Sequence, residues 1–425
     1  MTRDRPTILQ IVPRLETGGA ELSTVEIAEA VVRAGGRALV LTEPGGRLIA
    51  RVSAAGGELM PFPAATKNPI GMLVNAARMV RLIRAKSVDL VHARSRAPAW
   101  SALLAARRAR VPFVTTYHGA YREGNAAKRL YNGVMARGDL VIANSNYTAD
   151  LIAARYATPR RRISVIHRGV DVHAFDPARI DAGRIAALRT QWGVTPGTRV
   201  VLHMARLTAW KGQGVLIEAA ARLKAADKLG GAVVVLAGDA QGRDGYAQEL
   251  HAQVADAELG SSVRFVGHVE DAAAAFLAAH VSVVASIAPE AFGRAAIEAA
   301  AMGCPVIATA IGAPPETVLA PPAVAEGAAT GWLVPPSDAT SLSERLALAL
   351  ALPAEDRGAM GGRGRAHVVA HFTVEAMQRQ TLAVYDRLLA STLEGRFAAA
   401  SAPVSAPVSA PASAPASAPA VDARL

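Results

Sequence analysis

Only one of the 425 residues is a cysteine, which excludes a disulfide scaffold and makes a reducing compartment the expectation. That residue, Cys304, lies in the apolar run Gly303-Cys304-Pro305-Val306-Ile307, where a buried, inert thiol is expected rather than a nucleophile. Aromatic side chains are scarce, at 4%, which favours helix-rich α/β packing over a ring-filled β-sandwich. No stretch of about 20 uninterrupted, strongly apolar residues occurs. The nearest, Ala272 to Pro289, is broken by His280 and several serines and reads as a helix followed by a strand. The opening Met1-Thr2-Arg3-Asp4-Arg5-Pro6 leads into a short strand-like run and lacks the longer apolar core of a signal peptide. These absences together predict a soluble, cytoplasmic protein. What is present is a 51% hydrophobic share, much of it alanine, which excludes disorder over the whole chain. At roughly 100–200 residues per domain, the length favours two or three domains.

Short β-branched runs alternate with helical patterns. The first half offers Ile8 to Val12, Ala38 to Leu41, Leu90 to His92, Phe113 to Thr116, Leu140 to Ala143 and Ile163 to Ile166. The second offers Val200 to His203, Val233 to Leu236, Val263 to Val266, Val281 to Val284 and Pro305 to Ala308. Strands separated by helix-length segments imply right-handed βαβ units in parallel sheets. Two series of similar length imply two doubly wound α/β domains. The polar stretch Asp171 to Gly197, punctuated by Pro177, Gly193 and Pro196, is the best boundary, giving domains at 1–189 and 190–375. A helical segment, Val374 to Leu393, carries Met377, Leu382, Val384, Leu388 and Leu389; residues 376–395 are expected to pack back on the body. Residues 398–425 are an Ala/Pro/Ser tail with nothing to build a core, and are expected to be disordered.

Charge is uneven. The formal net charge is +11, but residues 1–189 carry 29 Lys and Arg against 14 Asp and Glu, or +15, leaving −4 on the remainder. A basic domain beside a mildly acidic one points to an anionic partner for the first half alone.

Ligands of open α/β sheets bind at the C-terminal edges of the strands, so function is sought in the loops there. The first strand runs into Gly18-Gly19-Ala20-Glu21 and then a helix. Paired glycines there allow close approach of a ligand to backbone amides at a helix N-terminus, although many such turns need glycine only for geometry. A dinucleotide fingerprint would need a third spaced glycine, which is missing. Another strand ends in Tyr117-His118-Gly119, where His118 can face the cleft or simply be a partly buried cap. In the second half, Arg206 and Lys211 lie five apart on one loop and form a compact cationic pair suited to a diphosphate, or two solvated charges. Glu290 and Glu298 lie eight apart, the first in a loop and the second about two turns into the next helix, both facing one side. Carboxylates there can accept hydrogen bonds from sugar or ribose hydroxyls.

The combination Arg206…Lys211-Gly212, Glu290-Ala291-Phe292-Gly293…Glu298, Ala301-Met302-Gly303-Cys304-Pro305, Gly312…Glu316 and Gly331-Trp332-Leu333-Val334-Pro335 resembles the second domain of the family 4 retaining glycosyltransferases. In the first half the Gly-Gly loop, Tyr117-His118-Gly119, Ala143-Asn144-Ser145 and Gly169-Val170-Asp171 agree, so the resemblance covers roughly residues 7–390. It implies a GT-B fold, two facing Rossmann-like domains around a cleft. It also implies a nucleoside-diphosphate sugar as donor substrate, with no cofactor and no essential metal. By position, Arg206 and Lys211 hold the diphosphate, Glu298 the ribose and Glu290 the donor sugar, with the amides of Phe292 and Gly293 beside it. Gly267 and His268 cradle the base, Gly18 and Gly19 approach the donor phosphates or the acceptor, and His118 contacts the donor sugar. Two positions depart from the family. Ala205 stands where glycine is often found, and Arg168 where asparagine is common, which bears on the hinge.

The implied activity is hexosyl-type transfer to an acceptor hydroxyl with retention, through front-face attack. The acceptor implied is a glycolipid or lipopolysaccharide-core glycan. Arg78, Arg81, Arg84 and Lys86, interleaved with Met72, Leu73, Met79, Val80, Leu82 and Ile83, can lie on an anionic membrane surface, or form an ordinary helix packed on the sheet. Arg107, Arg108, Arg110 and Arg160-Arg161-Arg162 add to the basic excess. Two rivals remain open: a nucleotide-sugar 2-epimerase of the same fold, and a non-catalytic anion- or nucleic-acid-binding protein. The second lacks stacking aromatics and zinc spacing, so no nucleic-acid partner is expected.

Overall fold

The computed structural model describes residues 5–16, 18–121 and 124–401. Two wholly parallel sheets form its frame. The first contains β1 (Thr7–Ile11), β2 (Arg37–Thr42), β3 (Glu58–Pro61), β4 (Leu90–Ala93), β5 (Phe113–Tyr117), β6 (Leu140–Ala143) and β7 (Ile163–Val165), in the order β3-β2-β1-β4-β5-β6-β7. The second contains β8 (Val200–Met204), β9 (Val233–Ala237), β10 (Val263–Gly267), β11 (Val281–Val284), β12 (Val306–Thr309) and β13 (Gly331–Val334), in the order β10-β9-β8-β11-β12-β13. The pattern is the doubly wound α/β one, and the chain has the GT-B architecture. The central strands are apolar throughout because helices cover both faces. Leu9 and Leu39, paired in register, point into one helical layer, while Ile8 and Val40 point into the other.

Sequence periodicity misses two strands, β3 and β13, and both are sheet edges. Glu58-Leu59-Met60-Pro61 has no β-branched residue and is only half-buried, so it carries little strand signal. The changeover between units also comes before residue 189. Phe175, Ile180, Ile185 and Leu188 pack on the core that holds Trp192, Val200 and Phe276, so this stretch belongs with the second sheet.

The chain crosses between units twice, and the two crossings are bonded to each other. Val170 N donates to Phe372 O at 2.8 Å, and Val374 N to Val170 O at 3.0 Å. Only glycine fits at Gly169, where a Cβ would lie 2.3 Å from the Thr373 backbone. After the second crossing the helix Val374–Leu389 returns to the first unit, where Met377, Leu382 and Tyr385 enter its core. The helix does not run on to Leu393. It stops at Ala390, in the left-handed conformation, and a second helix, Leu393–Ser401, buries Phe397. Residues 398–401 of the expected tail are thus helical, while the remainder of it, 402–425, lies outside the described residues. Among the described residues no helix is long and apolar enough to cross a membrane.

Candidate active site

Strand order reverses between β1 and β4 in the first sheet and between β8 and β11 in the second. Such reversals splay the following loops apart and leave a crevice. The loops after these four strands, together with those after β5 and β7, bring most of the singled-out residues together.

On the second unit, the β8 loop ends in a short 3-10 turn, Ala209–Lys211, closed by Gly212 at φ +75°. A Cβ on Gly212 would sit 1.8 Å from Ala285 O, so glycine lets this loop lie directly on the β11 loop. Ile287 N donates to Trp210 O at 2.9 Å and fixes the contact. Lys211 Nζ consequently forms an ion pair with Glu290 Oε1, which also accepts from Ser286 Oγ at 2.7 Å. The backbone of Glu290 is held in turn by Gly312, whose Cβ would meet Glu290 O at 2.2 Å. Beneath the pair, His203 Nδ1 lies 2.8 Å from Val283 O and must donate to it, so Nε2 is the acceptor nitrogen. Burial lowers the His203 pKa to about 4, and the ring is neutral.

Glu298 is the fifth residue of the helix Arg294–Ala301, barely more than one turn in rather than two. It accepts from Arg294 Nε at 3.1 Å. Phe292 is buried against His167 and Phe372 between the units. Gly293, at φ +84°, turns the chain into the helix that follows. The two cations expected as a pair have separate partners. Arg206 is exposed and reaches Gln241 Oε1 at 3.4 Å, whereas Lys211 is held by Glu290. Gly267 and exposed His268 lie at the end of β10, the sheet's far edge, two strands from the reversal point. They meet the central loops through Gly238, whose N donates to Gly267 O at 2.7 Å.

On the first unit, Gly18 caps the helix Gly19–Arg33 and, having no side chain, adds no capping hydrogen bond of its own, while the Glu21 carboxylate lies beside it. A Cβ on Gly19 would lie 3.4 Å from Arg294 Cδ, which measures how closely the two units approach here. His118 follows β5, and the Arg168 guanidinium donates both to His118 Nδ1 and to Gly19 O. Burial, then neighbouring Arg168 and Arg94, hold His118 well below the ordinary histidine pKa. Arg94, also buried, donates Nη2 to Ser23 Oγ at 2.7 Å.

Residues given no role by the sequence motifs join the two sides. Arg294 lies 3.4 Å from Glu26 of the first unit as well as 3.1 Å from Glu298. Burial alone would lower its pKa, but Glu26 and Glu298 more than offset this. Glu316 accepts from Asn146 N at 2.8 Å, Tyr147 N at 2.8 Å and His167 Nε2 at 2.9 Å. It thereby caps a first-unit helix from the second unit. The signal for Glu26 was a lone acid inside the apolar run Val25-Glu26-Ile27-Ala28. Cys304 is buried, and its thiol pKa is pushed up to about 12 by that burial, consistent with an inert side chain. Among the described residues, no group of three or more His, Cys, Asp or Glu is placed to hold a metal ion.

Comparison with known proteins gives the family. Residues 17–174 match Glycosyltransferase Family 4, and residues 185–367 match Glycosyl transferases group 1. The crystal structure of a glycosyltransferase from Rickettsia africae is 31% identical, with a TM-score of 0.81, covering 92% of this chain and 100% of that one. Anabaena Alr3699/HepE, solved in complex with UDP-glucose, is 26% identical with a TM-score of 0.77, over 90% of this chain and 100% of that one. A D-inositol 3-phosphate glycosyltransferase of Mycobacterium marinum is 30% identical over 74% of this chain. The match spans 67% of that relative's length, and 62% of the Mycobacterium tuberculosis counterpart's. The chain belongs to the family 4 and group 1 glycosyltransferases, and it is a glycosyltransferase.

Proposed function

We propose that the cleft transfers a glycosyl group, with retention at the anomeric carbon, from a nucleoside-diphosphate sugar to an acceptor hydroxyl. The observation that carries this reading is the Lys211–Glu290 pair, set at one crevice while the helix N-terminus at Gly18 and Gly19 lies at the other. Lys211 and Arg206 take the diphosphate, and Lys211 turns from Glu290 toward the leaving oxygen as charge develops on it. Glu290, with the amides of Phe292 and Gly293, takes hydroxyls of the donor sugar, and His118 contacts that sugar from the other side. Glu298 takes the ribose hydroxyls, while Gly267 and His268 border the base. In the chemical step the bond from the anomeric carbon to the diphosphate breaks and one to the acceptor oxygen forms on the same face. The acceptor proton passes to the departing phosphate oxygen, so the protein supplies position and electrostatic stabilisation, with no essential metal. The complex of Anabaena HepE with UDP-glucose supports a UDP-sugar as the donor class.

The acceptor enters along the basic first unit, and a glycolipid or lipopolysaccharide-core glycan fits it best. The helix Pro69–Ala85 carries no acidic residue. It buries Met79 and Ile83, exposes Ile70 at 77% and Leu73 at 62%, and leaves Arg78, Arg81 and Arg84 exposed. An apolar stripe bordered by cations suits peripheral attachment to an anionic bilayer on its cytoplasmic face. A second reading, a phosphorylated polyol acceptor, is favoured by the relatives named D-inositol 3-phosphate glycosyltransferases. Screening UDP- and GDP-sugars for thermal stabilisation identifies the donor, because a bound ligand raises apparent stability by mass action. Product mass with each acceptor class, and the anomeric configuration of the product, then decide between the acceptors and test retention. An inverted product, or a donor altered without any acceptor, contradicts the reading.

A further inference from the structure

Arg168 is buried and makes no ion pair among the described residues. Its hydrogen bonds go instead to Gly19 O and His118 Nδ1. A guanidinium has only donors, so the nitrogen it faces must be an acceptor. A neutral imidazole with an acceptor at Nδ1 carries its proton on Nε2. His118 Nε2 is itself buried and has no partner among the described residues.

His118 lines a small cavity of about 20 Å³ together with Arg94, Asn144, Thr116, Ser23 and Arg168. That exceeds the roughly 10–15 Å³ needed to seat one water-sized group. Two more polar atoms on the cavity's lining residues lack partners, Arg94 Nε and Asn144 Oδ1. The unmet groups are thus two N–H donors and one acceptor. A single hydroxyl or water oxygen accepts twice and donates at least once, so its needs match these three atoms.

We infer that Arg168 is a positioning residue that fixes His118 as the Nε2–H tautomer, and that His118, Arg94 and Asn144 form a seat for one oxygen atom, a water or a hydroxyl of the bound sugar. The consequence for transfer rests on the reading of His118 as a donor-sugar contact, but the tautomer and the seat do not.

The test uses the full-length chain labelled with ¹⁵N-histidine, in the absence of substrate, with the His118 signals assigned by their loss in His118→Gln. The expected spectrum shows Nδ1 unprotonated and Nε2 protonated, unchanged in Arg168→Lys and converted to a mixture of tautomers in Arg168→Met. A wild-type Nδ1–H tautomer, or a population that Arg168→Met leaves unchanged, overturns the assignment. Should Arg168→Met not fold, the wild-type spectrum alone decides. Crystals of the free protein are expected to show an ordered oxygen at the seat, and a dry seat overturns that part. After soaking with UDP-glucose, a retained water marks a structural role and a displaced one marks a sugar hydroxyl. Once turnover is measurable, Arg168→Met is expected to lower kcat about 10-fold, the worth of one oriented hydrogen bond. An unchanged kcat beside the stated tautomer sinks the sugar-contact reading and leaves the tautomer standing.

Discussion

Arg294 of the second unit stands between two carboxylates, 3.4 Å from Glu26 of the first unit and 3.1 Å from Glu298 on its own helix. All three side chains are largely buried, the guanidinium being 15% exposed. Removing the cation leaves two largely buried acids without the ion-pair partner they share. Arg294→Met is therefore expected to lower stability by about 3–5 kcal/mol. Glu26→Gln, which removes a charge but leaves one carboxylate for the arginine, should cost clearly less. Urea unfolding of both variants checks the order.

Lys211 and Glu290 form the other ion pair of the cleft, and each is the only ion-pair partner of the other among the described residues. Lys211→Ala and Glu290→Ala should each reduce turnover at least about 10²-fold, through lost transition-state contacts. In the proposed reaction the two act on one ligand as well as on each other, so the double variant should lose much less than the product of the single losses. Steady-state rates for the four proteins provide the cycle, and multiplicative losses would speak against a shared role.

Gly212 allows the β8 loop to rest on Ala285. A Cβ there meets a carbonyl oxygen at 1.8 Å, on a backbone at φ +75°. Gly212→Ala is expected to cost more than about 1 kcal/mol and to displace Lys211, so that activity falls with stability. Gly362, inside the helix Ala354–His371, is the control, because a Cβ added there would have nothing within 4 Å. Gly362→Ala should stabilise by up to about 1 kcal/mol. Thermal melts of the two variants should move in opposite directions.

Buried His203 makes stability depend on pH. Its folded pKa, about 4, lies below the ordinary 6.5, because burial disfavours the charged ring. Between these values the unfolded chain binds a proton that the folded chain does not, so stability falls as pH drops from 6.5 toward 4. The slope from this group alone approaches about 1.4 kcal/mol per pH unit. His203→Gln, which can still donate to Val283 O, should flatten that slope in urea titrations from pH 7 to 5. An unchanged slope rules out His203 as its source.

Vesicle sedimentation tests the membrane reading of the helix Pro69–Ala85. The protein should sediment with anionic vesicles and not with neutral ones. Ile70→Ser with Leu73→Ser should weaken binding at least about 10-fold, since each apolar side chain contributes on the order of 1.5 kcal/mol when buried. Equal partitioning to both vesicle types contradicts the reading.

The doubly wound frame was legible because buried parallel strands are continuous β-branched runs, such as Val233-Val234-Val235. The edge strands β3 and β13 were not, since an edge needs no such run. The break at Ala390 carries no glycine to announce it, although the residue takes φ +49°. Within the cleft, loop motifs marked Lys211, Glu290 and Glu298 one by one, but not the pairing of Lys211 with Glu290, which lie 79 residues apart. Arg168 was visible only as a departure near the hinge. Its partners lie 50 and 149 residues away, and no local pattern encodes a contact made by folding. The same holds for Arg294 and Glu26, 268 residues apart.

In the proposed reaction Lys211, at the Glu290 pair, stabilises a departing nucleoside diphosphate. Nucleoside-diphosphate release, with an acceptor present and with the donor that stabilises the protein, is measured for the wild-type protein and for Lys211→Ala. Release that is coupled to acceptor and falls at least about 10²-fold in the variant is the predicted result. Equal release by the two folded proteins would contradict it.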